Sequence, residues 1–321
     1  MDIIKNYKDV HGKNAKIGFI GCGNMAFSMV TGILKSKLFE AHELLISGRH
    51  TSDFKRWESF GVEKTLDNNV LVNSCPIVFL CVKPNCLEDV ADGLLKNYDE
   101  DAEAYCERSF CSSLVSILAG TSVNSVKKAI PIFNSYVRAM PNTPLQVQAG
   151  CTALTKPTFG TGAYRNAKSN VYIDLHFKVI EAVFGSLGIA EVVDESKFDA
   201  VTALSGKLKL IIGWKSDLNC ISVLGSGPAY VYIMIDALSD AGVKQGLPRD
   251  IATKFAAQTL FGASKTVLES GIHPGALKDQ VTSSGGTTIY GIHELEKGGI
   301  RNTLINAVQA ATLRSKEMSN N

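Results

Sequence analysis

Short unbroken apolar runs alternate, along the first half of the chain, with segments whose apolar residues recur every three or four positions. The runs are Ile17–Ile20, the Leu44–Ile46 part of ELLISGRH, Pro76–Val82, Ser113–Leu118 and a stretch from Val137 that closes on Pro141 and Pro144. Continuous runs of this length predict buried parallel strands. Between them, Met29/Val30/Ile33/Leu34, Asn85–Leu95 and Val123–Ala129 carry the helical period. This alternation predicts a doubly wound parallel sheet over roughly residues 14–150. From about Phe177 the pattern becomes helical only, with helices expected over Phe177–Leu187, Glu195–Ala203, Pro228–Val243, Arg249–Ser270 and Thr303–Glu317. Pro228–Val243 is apolar around much of its circumference yet too short for a membrane span, and Asp236 and Asp240 interrupt it. Such a helix must be covered on every side, and a second copy of the chain is the natural cover.

The first strand runs straight into Gly21-Cys22-Gly23-Asn24-Met25-Ala26, a Gly-x-Gly-x-x-Ala turn that opens a helix. Gly21 permits the tight turn, Gly23 lets a pyrophosphate approach the backbone, and Ala26 keeps helix and strand close. The context is that of a dinucleotide site, so the fold class is α/β, an N-terminal Rossmann-type sheet followed by an all-α domain. At the end of the second strand a site for NAD would carry Asp or Glu against the ribose hydroxyls. Here that place holds Ser47-Gly48-Arg49. A hydroxyl and a guanidinium suit a 2′-phosphate instead. NADP(H) is the preferred cofactor, with NAD(H) also admitted.

A second glycine turn lies near the C-terminus: Thr282-Ser283-Ser284-Gly285-Gly286-Thr287-Thr288 follows one helical run and opens another at Thr287–His293. Converging backbone N–H groups, uncharged hydroxyl donors and the positive end of a helix can together grip a carboxylate.

Bulk composition narrows the partners. The chain has 321 residues, room for two domains, and a formal charge of +2 makes no case for nucleic acid or an anionic membrane. Eight cysteines form no Cys-x-x-Cys pair and no zinc-spaced His/Cys cluster, so no metal is expected and the thiols read as reduced. MDIIKNYKDVHGKNAK has neither a signal core nor a transit-peptide character. The expected location is cytoplasmic, with a mitochondrial one left open.

With both turns placed, the chain resembles the pyrroline-5-carboxylate reductase family from Lys16 to about Met318. The most specific stretch is Asp279–Gly299, close to the family signature D-x-V-[ST]-[ST]-P-G-G-[AT]-T-I-x-[AG]-[IL]-x-x-L-E-x-G-G, with Ser284 in place of the usual proline. Gly18–Ala26, Cys81–Pro84, Arg138–Pro144, Asp199–Gly206, Ser226–Tyr230 and Gly242–Pro248 support it. The resemblance implies reduction of 1-pyrroline-5-carboxylate to L-proline with NAD(P)H, by a homodimer or an oligomer of dimers. It implies a pyrophosphate loop at Ile20, Gly21, Cys22, Gly23, Asn24, Met25 and Ala26, and a 2′-phosphate contact at Ser47, Gly48 and Arg49. Asn68 falls at the adenosine end, and Val82, Lys83 and Pro84 line the nicotinamide side. Ser283, Gly286 and Thr287 resemble the carboxylate grip, and Thr288 the catalytic hydroxyl that meets the ring nitrogen. His273 and His293 are expected to be surface or helix residues. The implied domains are an NADP-binding unit at 14–175 and a helical substrate and dimerisation unit at 176–321.

One departure is large. The family runs A-V-T-A-L-S-G directly into S-G-P-A-Y, whereas here Lys207–Gly225 intervenes, 19 residues foreign to the pattern. Gly206-Lys207 can be encoded with a splice-donor GT and Leu224-Gly225 with an acceptor AG. Excision would preserve frame and restore a single glycine codon, so a retained intron and a genuine loop both stand. A related hydroxy-acid dehydrogenase, or an NADP-binding protein made inactive by the insertion, are the rival readings. The first would generally need a Lys or His at the reaction centre, and the Thr282–Thr288 turn has neither.

Overall fold

The computed structural model describes residues 2–96, 112–160, 167–195, 198 and 226–320. Helix α1 (Ile3–His11) begins where the Asp2 carboxylate accepts the Ile4 N–H at 3.0 Å. Strand β1 (Ile17–Ile20) leads to α2 (Asn24–Ser36), β2 (Leu44–Ser47), a ten-residue 3-10 helix (Thr51–Phe60) and β3 (Glu63–Thr65). Next come α3 (Asn68–Ser74), β4 (Ile77–Leu80), α4 (Leu87–Leu95), β5 (Ser113–Ser116), α5 (Val123–Ala129) and β6 (Ser135–Met140). Strands β7 (Gly150–Leu154) and β8 (Thr158–Phe159), helix α6 (Ala167–Ser186) and strand β9 (Gly188–Val192) complete the sheet region.

The strand order is β3-β2-β1-β4-β5-β6-β7-β9, with β8 on β6. Strands β1 to β6 are mutually parallel, and Ile20 lies opposite both Ser47 and Leu80. Strand order reverses between β1 and β4, which opens a crevice at their carboxyl ends. The runs are unbroken because both faces are covered. Ile17, Phe19, Ile77 and Phe79 pack under α2 and α6, while Ile20, Val78 and Leu80 pack on α3, α4 and α5.

The parallel sheet expected over roughly 14–150 stands as β1 to β6, and beyond it β7 and β8 add to β6 in the antiparallel sense. The short Asn142–Ala149 connection allows this, since an antiparallel neighbour needs no crossover. One expectation needs correction: the chain does not turn purely helical at Phe177. Helix α6 starts ten residues earlier, and β9 then pairs with β7 from Gly150↔Gly188 to Leu154↔Val192. The partner of β9 is distant in sequence, and GIAEV alone carries no strand signature. The expected helix Glu195–Ala203 lies for the most part outside the described residues, and Lys207–Gly225 entirely so.

The remaining helices are α7 (Gly227–Lys244), α8 (Arg249–Ser270), α9 (Pro274–Gln280), α10 (Thr287–Lys297) and α11 (Ile300–Asn320). Helices α7 and α8 meet through small groups: a Cβ on Gly242 would lie 3.0 Å from that of Ala252, and the Ser239 and Thr253 hydroxyls are 2.8 Å apart. Only Gly227 and Ser239 are buried in α7. Among the described residues no helix is long and apolar enough to cross a membrane.

Candidate active site

The register brings three strand ends to one place. The Gly21 N–H donates to the Ser47 carbonyl at 3.1 Å, and the Cys81 N–H to that of Ile20 at 2.8 Å. Gly21 has φ +97°, and a Cβ there would sit 2.9 Å from the Cys81 oxygen and from Val82 Cγ1. Only glycine serves both demands. Gly23 is the N-cap of α2, has no side-chain cap, and faces open space where its Cβ would be. The first N–H groups of a thirteen-residue helix are thus left for an anion, while Ala26 is fully buried against the sheet.

A crevice of about 640 Å³ opens above these ends. Ile20, Gly21, Cys22, Gly23, Ser47, Gly48, Arg49, Asn68, Val82 and Lys83 line it. Asn24, Met25, Ala26 and Pro84, also expected in the site, do not form its wall, because α2 and the short turn after β4 already lead away. Ser47 is 1% exposed, and its hydroxyl donates to the Asn68 carboxamide at 2.7 Å. Asn68 itself starts α3, which Asp67 caps by accepting the Asn69 N–H at 2.8 Å. Ser47 therefore orients Asn68, whereas the exposed Arg49 offers its charge at the rim.

Asp53, Arg56, Leu66, Cys81, Cys86, Asp89 and Val90 also line the crevice; of these the sequence marks only Cys81, in the Cys81–Pro84 run and not as a site residue. For Asp53 and Arg56 a signal existed. Phe54, Trp57 and Phe60 recur every third residue, the spacing at which side chains of a 3-10 helix align. Phe54 and Trp57 are buried, so the neighbouring positions are held toward the crevice. Asp53 Oδ2 accepts the Arg49 and His50 N–H groups at 3.2 and 3.1 Å and so ties this helix to the end of β2. Cys22 and Cys81 are free thiols, and burial pushes the pKa of each up, which makes them poor nucleophiles.

The C-terminal turn has the expected form. Gly285 takes φ +66°, the Gly286 N–H donates to the Ser283 carbonyl at 3.1 Å, and α10 starts at Thr287 with Gly286 as N-cap and no side-chain cap. Ser283 Oγ lies so near Gly286 that a Cβ there would be 2.3 Å away. Ser283 and Thr287 are exposed and Thr288 half-buried. No residue of this turn lines the crevice within one chain. His273 caps α9 by accepting the Gly275 N–H at 3.1 Å, and His293 is exposed within α10.

Two family models match the chain, one described as NADP oxidoreductase coenzyme F420-dependent over residues 16–103 and one as pyrroline-5-carboxylate reductase dimerisation over residues 218–318. The second match begins inside the 207–225 tract. The pyrroline-5-carboxylate reductases of Pisum sativum and Glycine max are each 37% identical to it, over 94% of this chain and 96% of theirs. A crystal structure of Plasmodium falciparum pyrroline carboxylate reductase with NADP bound superposes with a TM-score of 0.71 at 28% identity, covering 95% of this chain and 98% of that one. With an identity above one third sustained over nearly its whole length, the chain belongs to the pyrroline-5-carboxylate reductase family.

Proposed function

We propose that this protein reduces 1-pyrroline-5-carboxylate to L-proline, the last step of proline biosynthesis, with NADPH preferred and NADH accepted. The observation that carries this reading is the Ser283–Thr288 turn on a chain of this family. It is an uncapped helix start with hydroxyls beside it and no charged acid or base. A cyclic imine bearing a carboxylate asks for an anion cradle, a hydride donor and a hydrogen-bond partner for nitrogen. Its nitrogen is basic enough to take a proton from solution, so no strong general acid is required.

In this reading the Ile20–Ala26 loop holds the pyrophosphate, Arg49 with Ser47 and Gly48 the 2′-phosphate, Asn68 the adenosine end, and Val82, Lys83 and Pro84 the nicotinamide side. Bound there, the reduced nicotinamide supplies the hydride. Ser283, Gly286 and Thr287 hold the substrate carboxylate, and the Thr288 hydroxyl hydrogen-bonds the ring nitrogen as the catalytic contact. The division of labour follows two units, one for cofactor and one for substrate and assembly. The cofactor unit keeps α6 and β9 with the sheet rather than ending at the expected boundary of 14–175, and the helical unit runs from α7 onward, in place of the expected 176–321. A homodimer, or an oligomer of dimers, covers α7. Since the turn and the crevice share no wall in one chain, the reaction centre forms when the subunits assemble. The cytoplasm is the assigned compartment.

An absorbance assay of NADPH oxidation with pyrroline-5-carboxylate, beside a panel of hydroxy acids with NADP⁺, tests the reading. Turnover of the imine alone is expected. Turnover of a hydroxy acid, or NADPH binding without imine reduction, would overturn it.

A further inference from the structure

The 3-10 helix after β2 carries a second guanidinium into the crevice. Arg56 Nη1 donates to Asn24 Oδ1 at 2.8 Å, and its Nη2 donates to the Cys22 carbonyl. Its guanidinium carbon lies 4.8 Å from the centroid of Phe27 and 5.6 Å from that of Trp57, two rings that pack edge to face at 5.3 Å. Two acceptors and two aromatic faces therefore hold this side chain in one orientation, although it is exposed. Those bonds use two of its five N–H groups, and three remain for an incoming acceptor.

The position matters as much as the rigidity. Gly48 and Cys22 touch, since a Cβ on Gly48 would lie 3.0 Å from Cys22 Sγ. A cation pinned to Cys22 and Asn24 thus stands beside the end of β2, where Arg49 sits. Burial, then Asp53, raise the Cys22 thiol pKa, while Arg56 and Arg49 both pull it down, so the two guanidinium groups act on the same spot. Asp53 is the one acid of that helix lining the crevice, and it turns Oδ2 to the backbone at Arg49 and His50. Its charge weakens the field of a single arginine there, and a second cation offsets it.

We infer that Arg56 is a specificity-determining residue of the cofactor site, set across from Arg49 to grip the phosphate on the 2′ position of the outer ribose. This rests on the dinucleotide reading of the crevice proposed above. A guanidinium already ordered by stacking and by two acceptors loses little freedom on binding, so its contact with phosphate is delivered nearly in full. Selectivity for the phosphorylated cofactor then depends on two arginines from different elements, only one of which lies at the strand end.

The experiment is a fluorescence titration of NADPH and of NADH against the full chain and its Arg56→Ala, Arg56→Met and Arg56→Lys variants. Arg56→Met keeps an apolar stem on Phe27 and Trp57 and removes only charge. Both neutral variants are expected to weaken NADPH about 10- to 100-fold and NADH less than about 3-fold, the scale of a charge-assisted contact. Arg56→Lys should keep part of the selectivity, and the salt dependence of NADPH binding should fall in the neutral variants. Equal weakening of both cofactors would make Arg56 a brace for the glycine loop and overturn the inference, as would no weakening of either. An unaltered chain that prefers NADPH, with variants equally selective, refutes the Arg56 role alone. If the unaltered chain binds neither cofactor, the dinucleotide reading falls as well.

Discussion

Phe79, on the central strand β4, is fully buried, whereas Ile233, on α7, leaves 68% of its surface exposed. Phe79 stacks on Phe19 at 5.1 Å and meets Phe184 edge to face at 5.8 Å. Around Ile233, Val231, Tyr232 and Leu238 are exposed too, and so are Phe255 and Phe261 on α8 and Tyr290 on α10. Both regions are built from regular elements rich in large apolar residues. They differ in where the cover comes from: the sheet is closed on both faces by helices of its own chain, while the α7 to α11 region keeps an apolar surface. Residues 218–318 match a dimerisation family, so the protein is a homo-oligomer, and in the reading proposed above a second chain supplies the cover that α7 to α11 lack.

Substitutions that remove the same kind of group from the two halves would break this comparison if they behaved alike. Phe79→Ala should cost about 3–5 kcal/mol in denaturant unfolding, through lost transfer energy and the cavity left behind. Ile233→Asp should leave the unfolding of the sheet half nearly unchanged. It should raise the dissociation constant of the oligomer roughly 30-fold or more, about 2 kcal/mol, in sedimentation. A variant chain that still assembled like the parent would place the interface elsewhere.

The chemistry divides along the same line. Replacing Arg49 and Ser47 together with Ala should weaken NADPH by about 1.5–3 kcal/mol and NADH little, with most of the loss at Arg49 because Ser47 acts through Asn68. Equal losses in cofactor titrations would show the 2′-phosphate to be misplaced. Thr288→Ala should lower kcat by about 1–3 kcal/mol without changing NADPH binding, and Thr288→Ser should retain most of the rate. Ser283→Ala should instead raise KM for the imino acid. Wild-type turnover by Thr288→Ala would remove this turn from the reaction.

The smallest effect is confined to mild acid. His11 and His176 face each other through their Nε2 atoms at 3.0 Å, and His176 Nδ1 lies 2.8 Å from the Ser113 hydroxyl, itself 2.7 Å from that of Ser135. Tyr7 and Tyr172 also contact the pair. Burial lowers the pKa of His11 to about 4, and burial, with His11 second, lowers that of His176 to about 3. The unfolded chain therefore binds these protons more readily, so stability is full above about pH 6.5 and declines as pH falls toward 4. Melting at pH 7.5 and 5.5 should show this decline, and His176→Gln should flatten it.

Much of the molecule was legible from the chain because it depends on neighbours in sequence. The runs of β1, β2, β4, β5 and β6, the Gly21–Ala26 turn and the helices at Val123–Ala129 and Arg249–Ser270 are local patterns, and they stand where the periodicity puts them, whereas β3 (EKT) has no apolar run and shows only by its pairing with β2. The turn before α10 is equally local, since Gly285 needs its left-handed backbone whatever surrounds it. Tertiary structure alone decided what rests on distant partners. Strand β9 exists because β7 offers it an edge, and α1 docks through His11 on a histidine far along the chain. Asn68 is turned by Ser47, and Arg56 gains its role only because the 3-10 helix folds it back onto the carbonyl of Cys22. Local order is written in side-chain period and backbone freedom, but pairing and site geometry arise when segments far apart in sequence compete for the same neighbours.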